Sequence, residues 1–141
     1  MKNLLLIIIC SSNFLYSQIY TEKYINEATD VSLNWLRDLN YNKYGKAYSL
    51  FSNKVKINSD SIETCSAFKG LMKEFGSLNS RKITSQKFEN EIKGIGSGFF
   101  VFVEFASVYE KKLVSESIIL QQDDNLKWKI LRYDFAETNR R

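Results

Sequence analysis

GSGFFVFVEFASVYE, residues 96–110, carries apolar side chains at odd and even positions alike, and from Phe99 to Val108 its only charge is Glu104. A strand with one face in water alternates apolar and polar residues. This stretch instead predicts a strand covered on both faces. Phe99, Val101, Val103 and Phe105 point one way, and Phe100, Phe102, Ala106 and Val108 the other. One set fits against helices. The other needs a second cover: another copy of the chain meeting through Phe100 and Phe102, a partner protein, or a segment of the same chain. A parallel sheet is excluded, because the strands follow one another too closely for crossover helices.

Working outward, the chain reads as helices first and strands afterwards. Residues 21–40 place Tyr24, Ile25, Ala28, Val31, Ser32, Trp35, Leu36 and Leu39 on one helical stripe, with Thr21 as a cap. The opposite face, with Glu22, Glu27, Asp30 and Asp38, leans acidic, unlike the Lys/Arg-rich face of a membrane-surface helix. A shorter helix is predicted over 42–55 and a third over 60–76. The third opens on an Asp60–Glu63 capping pattern, buries Ile62, Cys65, Phe68, Met72 and Phe75, and stops at Gly76. Four strands follow: a polar edge strand from residue 80, then 98–109, 113–121 and 127–135, joined by polar turns. This is an α+β domain, with N-terminal helices packed on a curved antiparallel sheet of about four strands.

The first seventeen residues stand apart. Lys2, an apolar block from Leu4 to Cys10, and a smaller, more polar stretch ending at Ser17 have the order of a secretory leader. The block is shorter than the roughly 20 residues that span a bilayer. An apolar core helix and a lipid-modified Cys10 are the alternatives, the second weakened by the bulky Ile9 before the cysteine. The expectation is export to the periplasm or beyond, with residues 18–141 as one domain and no transmembrane segment once the leader is removed.

Composition narrows the chemistry. The formal charge is +4 and the basic residues are scattered, without the stripe of Lys and Arg between aromatics that marks nucleic-acid binding. The chain has no histidine, which removes the commonest general base and zinc ligand. Of its two cysteines only Cys65 lies beyond the leader, which precludes an internal disulfide and a cysteine-rich metal site. Its apolar helical neighbours predict a buried, inert thiol. No metal or cofactor is implied. The glycine-rich GIGSG at 94–98 precedes a strand, whereas a phosphate cradle opens a helix, so it reads as a hairpin loop.

Several pieces in order resemble one family. Trp35-Leu36, then Gly76 with Ser80 and Arg81, Gly94 and Gly98, Glu116 with Leu120, and Trp128 with Tyr133 are similar to domain of unknown function 4019, a family of small exported bacterial proteins. The resemblance implies a cystatin-like cone of the nuclear transport factor 2 kind, a fold that hosts enzymes, ligand pockets and dimerising adaptors alike. The chain departs from the family pattern in its third helix. Cys65 or Ser66 stands where a tryptophan is expected, Met72-Lys73 where an arginine is, and Phe75 where a leucine is.

The residues able to carry chemistry are the charges that interrupt apolar strands: Glu104, Glu116, Arg132 and Asp134, with Arg81 after the glycine turn. A carboxylate among apolar neighbours is costly unless paired and hydrogen-bonded. Glu116 is therefore either a pocket acid positioned by Arg81 or Arg132, or half of a structural ion pair. Trp35 and Tyr48 either line a pocket or fill the core. Taken together, the chain reads as an exported, non-enzymatic module that binds an envelope protein, a second copy of itself or a small apolar ligand. The alternative is a small hydrolase or isomerase using Glu116 or Asp134.

Overall fold

A computed structural model describes the backbone of residues 2–138 and the side chains of residues 19–138. The expected leader, residues 1–17 with Cys10, lies outside the described side chains. The first helix, α1, spans Lys2–Asn40 and runs through Thr21 instead of starting there. No proline or glycine precedes Gly45 to stop it. Its stripe buries Ala28, Ser32, Trp35, Leu36 and Leu39 as the spacing predicts. Asp38, expected on the wet face, is buried instead, with Lys46 Nζ 3.0 Å from its carboxylate.

The helix predicted over 42–55 breaks in two: α2, Tyr44–Ser49, and α3, Asn53–Ile57. Tertiary pairing overrides helical propensity here. The Ile130 N–H donates to the Leu50 carbonyl (2.9 Å) and the Ser52 N–H to the Ile130 carbonyl (2.8 Å), which draws Phe51 onto the last strand as a parallel rung. The Ser52 hydroxyl then caps α3 by accepting from the Val55 N–H.

Helix α4, Ser61–Phe75, starts where Asp60 accepts from the N–H groups of Ile62 (2.8 Å) and Glu63 (2.9 Å). It ends at Gly76, whose φ of +77° suits glycine and where a Cβ would come within 3.0 Å of the Glu110 side chain. The core reaches only the later turns, through Phe68, Met72 and Phe75. Ile62, expected in the buried stripe, is 79% exposed, and Cys65 is half-buried instead of sealed.

The strands β1 (Leu78–Ile92), β2 (Gly96–Tyr109), β3 (Leu113–Gln122) and β4 (Trp128–Glu137) form an antiparallel sheet in chain order. Register shifts at three points in β1 and one between Ile119 and Leu120 bend it. The β1–β2 and β3–β4 turns share one end of the sheet, the β2–β3 hairpin the other. Helix α1 runs between these ends. Tyr24 meets Phe88, Phe99 and Trp128 at the first, and Asn40 meets Arg81 and Tyr109 at the second. Among the described residues no helix is long and apolar enough to cross a membrane.

The core lies between the helices and the sheet's inner face, where Val101, Val103, Phe105, Ile118, Leu120 and Ile130 are fully buried. Across the outer face the register aligns Lys87, Phe102, Ile119 and Arg132 in one row and Ser85, Glu104, Ser117 and Asp134 in the next. Phe102 and Ile119 are half-buried, and neither joins the core. Phe100 is fully buried within its own chain, so it offers nothing to a second copy. Its ring lies over Gly98, where a Cβ would meet it at 3.2 Å, and beside the Gln121 amide. The second cover that β2 demanded is thus partly its own glycine. Phe100→Ala is expected to lower stability by about 3–5 kcal/mol in urea unfolding, the range for an emptied aromatic site. Phe102→Asp should change it by less than about 1 kcal/mol. Equal losses would mean that the outer face is covered in solution.

Candidate functional site

Glu116 stands mid-way along β3 on the inner face and has no solvent exposure. A bare carboxylate there would cost several kcal/mol, so donors must surround it. They come from three strands. Arg81 on β1 donates to Oε2 from Nε (3.1 Å) and Nη2 (2.9 Å), and the Ser107 hydroxyl on β2 donates to the same oxygen. Tyr109 on β2 (3.1 Å) and Tyr133 on β4 (2.8 Å) donate to Oε1. Two carboxylate oxygens offer about four acceptor positions, so this one is saturated.

Pairing register explains the convergence. Phe105 faces Glu116 and Arg81 faces Ser107, so Ser107 sits one diagonal step from the carboxylate on the same face and Arg81 reaches it from the strand beyond. The bonds are directional: Arg81 Nε donates to Ser107 Oγ (2.9 Å) and Nη2 to the Tyr109 oxygen (2.7 Å), and both hydroxyls donate in turn to Glu116. Arg81 Nη1 donates to Asn40 Oδ1 (3.2 Å), which ties in the end of α1. The ring centroids of Phe105 and Tyr109 lie 6.0 and 5.9 Å from the guanidinium carbon. Burial, then the adjacent Glu116 charge, pushes the Tyr109 phenol up to about 12, and the same causes push Tyr133 well above the ordinary phenol range.

Of the candidate residues, only Arg81 and Glu116 are brought together. Arg132 and Asp134 pair with each other in the open on the outer face, because β4 turns Tyr133, the residue between them, inward. Arg132 is therefore not the partner of Glu116. Trp35 is core: its indole N–H donates to the Ala47 carbonyl (3.0 Å), and its ring packs on Phe51, Phe68 and Tyr133 at 5.0–5.8 Å. Tyr48 is half-buried on α2 and donates to the Ser59 carbonyl (2.9 Å). These aromatics fill the cone. The nearest depression, about 390 Å³ and open to solvent, has Asn40 and Met72 in its lining, and Glu116 does not line it.

Sequence reasoning missed Asn40, Ser107, Tyr109 and Tyr133 as partners of the charge pair. A signal existed for two of them. Ser107 and Tyr109 continue the inward phase of Phe105, and the short 110–112 turn brings that phase opposite Glu116.

The family model described as Protein of unknown function (DUF4019) matches residues 31–133. The chain belongs to this family. Every partner of Glu116 and Arg81 lies inside the matched span. A crystal structure from Campylobacter jejuni, provisionally labelled an NTF2-like transpeptidase, is similar with a TM-score of 0.53 and 14% identity. The match covers 74% of this chain and 96% of that one. At that identity it shows the fold: an NTF2-like cone. No curated protein sequence matches the chain.

Two predictions test the centre of this DUF4019 domain. Arg81→Met and Glu116→Gln should each lower stability by about 3–5 kcal/mol, because each leaves a buried group without its counterpart. The double variant Arg81→Met/Glu116→Gln should lose less than the summed singles in a urea-unfolding cycle. Independent, additive losses would mean that the pair is not coupled. The second concerns pH. Tyr109 and Tyr133 hold their protons in the fold while the unfolded chain sheds them near pH 10.0, the ordinary phenol value. Their contribution is complete below that pH and falls as the pH climbs toward 12. The thermal midpoint should drop over this window. Tyr133→Phe, less stable throughout, should show a shallower drop.

Proposed function

We propose that this DUF4019 domain is an exported, non-enzymatic binding module whose buried charges hold the fold and whose surface makes the contacts. The carrying observation is the saturation of Glu116: with five donors on two oxygens and no exposure, it has neither a free acceptor position nor a path to a substrate. General acid–base work needs a group within reach of the reacting proton. Asp134 is reachable but sits beside Arg132 on an open sheet face, without a cleft around it.

The transpeptidase label of the C. jejuni protein does not favour acyl transfer here. That chemistry needs a nucleophile activated by a base and open to the acyl donor. Ser107, the hydroxyl that meets a buried carboxylate, is itself buried under Arg81 and Tyr109. Export rests on the order of residues 1–17, read as a leader with its cut after Ser17. The filled cone also moves any apolar ligand from the interior to the surface.

Two measurements test the proposal. The N-terminal sequence of the protein recovered from the periplasm should begin at Gln18, whereas retention in the cytoplasm with the leader intact would overturn export. Purified protein should show no turnover of aryl esters or of an acyl-D-alanyl depsipeptide above that of Asp134→Asn. Turnover that is lost in Asp134→Asn, or in a folded Glu116→Gln, would establish an enzyme.

A further inference from the structure

Three segments meet at the end of the molecule that carries the β1–β2 and β3–β4 turns, and each exposes apolar side chains beside a lysine. Ile19 and Tyr20 precede Lys23 on α1, Ile95 follows Lys93 in the β1–β2 turn, and Leu126 precedes Lys127 in the β3–β4 turn. Phe99, which stacks on Tyr24 at 5.3 Å, adds its exposed edge. Half of the ten exposed large hydrophobics among the described residues therefore lie at this one end.

The two turns project their tips into solvent. Leu126 is 73% exposed and has a φ of +58°, a left-handed conformation disfavoured for a bulky side chain and suited to glycine or asparagine. It is held there by its N–H on the Asp123 carbonyl (2.9 Å), while Asp123 Oδ1 accepts from the N–H groups of Asn125 and Lys127. Ile95 stands between Gly94 and Gly96, both at positive φ. An apolar residue kept at a strained, solvent-facing tip needs a reason outside the packing of its own chain.

The geometry points to a lipid bilayer as the partner of this end. The occupant follows from where the chain leads: residues 1–17, with their apolar block, lead through Gln18 into Ile19, so until the leader is cut the chain presents this end to the membrane. Aliphatic tips with a lysine beside each segment, and with Tyr20 and Phe99 exposed among them, suit the interface, where the tip enters the acyl boundary and the cation stays among headgroups. Glu22, Glu91, Asp123 and Asp124 lie at the same end, and Lys23 is engaged by Glu27. Apolar insertion, not charge, therefore drives the contact, and it should weaken little at high salt. This names a partner for the binding module proposed above, yet its assay depends on neither export nor absence of catalysis, so the two readings fail separately.

The test is sedimentation of the full chain with vesicles of phosphatidylethanolamine and phosphatidylglycerol at low and high salt. Because the leader is itself apolar, the comparison among variants decides. Ile95→Asp/Leu126→Asp should lose more than about tenfold in partitioning, since two aliphatic side chains leave the interface. Tyr41→Asp, exposed at the opposite end, should bind as the parent does. Equal binding by all three chains, or no binding by the parent, would overturn the proposal. If the double variant fails to fold, Leu126→Trp gives a separate reading. Its emission should shift to the blue on adding vesicles and be quenched by brominated acyl chains, and an unshifted spectrum would overturn the proposal equally.

Discussion

One buried carboxylate organises the inner face of this sheet. Glu116 on β3 draws Arg81 from β1, Ser107 and Tyr109 from β2 and Tyr133 from β4, and through Arg81 it reaches Asn40 at the end of α1. A buried ion pair is seldom a net stabiliser compared with apolar residues of the same shape. What it supplies is register, because any one-residue slip of a strand would turn its donor to the outer face and strand a charge in the core. The two phenols and the serine are the means by which the pair tolerates burial, since they take up the acceptor positions that arginine leaves free.

The same arrangement closes the interior of the molecule. Trp35, Phe51, Phe68 and Tyr133 pack edge to face across the cone, with Tyr133 serving both the aromatic cluster and the carboxylate. A cone filled by aromatic rings leaves no chamber next to the charges. A fold of this kind does not by itself choose a function, which depends on the site built on it. Here the helices and sheet meet, and the surface that remains distinctive is the end where α1 enters and the two turns project.

The expected helix 42–55 and the buried Ile62 failed for one physical reason. Helical periodicity reports which residues share a face, not how far the partner layer extends. The pairing of Leu50 and Ser52 with Ile130 interrupts the first helix, and the core stops short of the opening turns of α4. Those turns hold Cys65 and Ser66, where the family pattern expects a tryptophan. The departure falls where little packing depends on it.

The amino-acid sequence by itself determined the order of elements, the inward phase of each strand, the α+β class and the family, because two-residue and helical periods and turn chemistry are local. It also flagged Glu116, since a charge inside an apolar strand is conspicuous in one dimension, and Arg81, which follows the glycine turn. Only the tertiary structure decided which arginine answers Glu116. Arg132 is nearer along the chain to Glu116 than Arg81 is, but strand alternation sends it to the outer face with Asp134. Likewise, only the fold showed that Phe100 is covered by the space above Gly98, and that Ile19, Ile95 and Leu126, far apart in sequence, share one end. Such facts depend on pairing register and chain reversal, which bring distant residues together and leave no local trace.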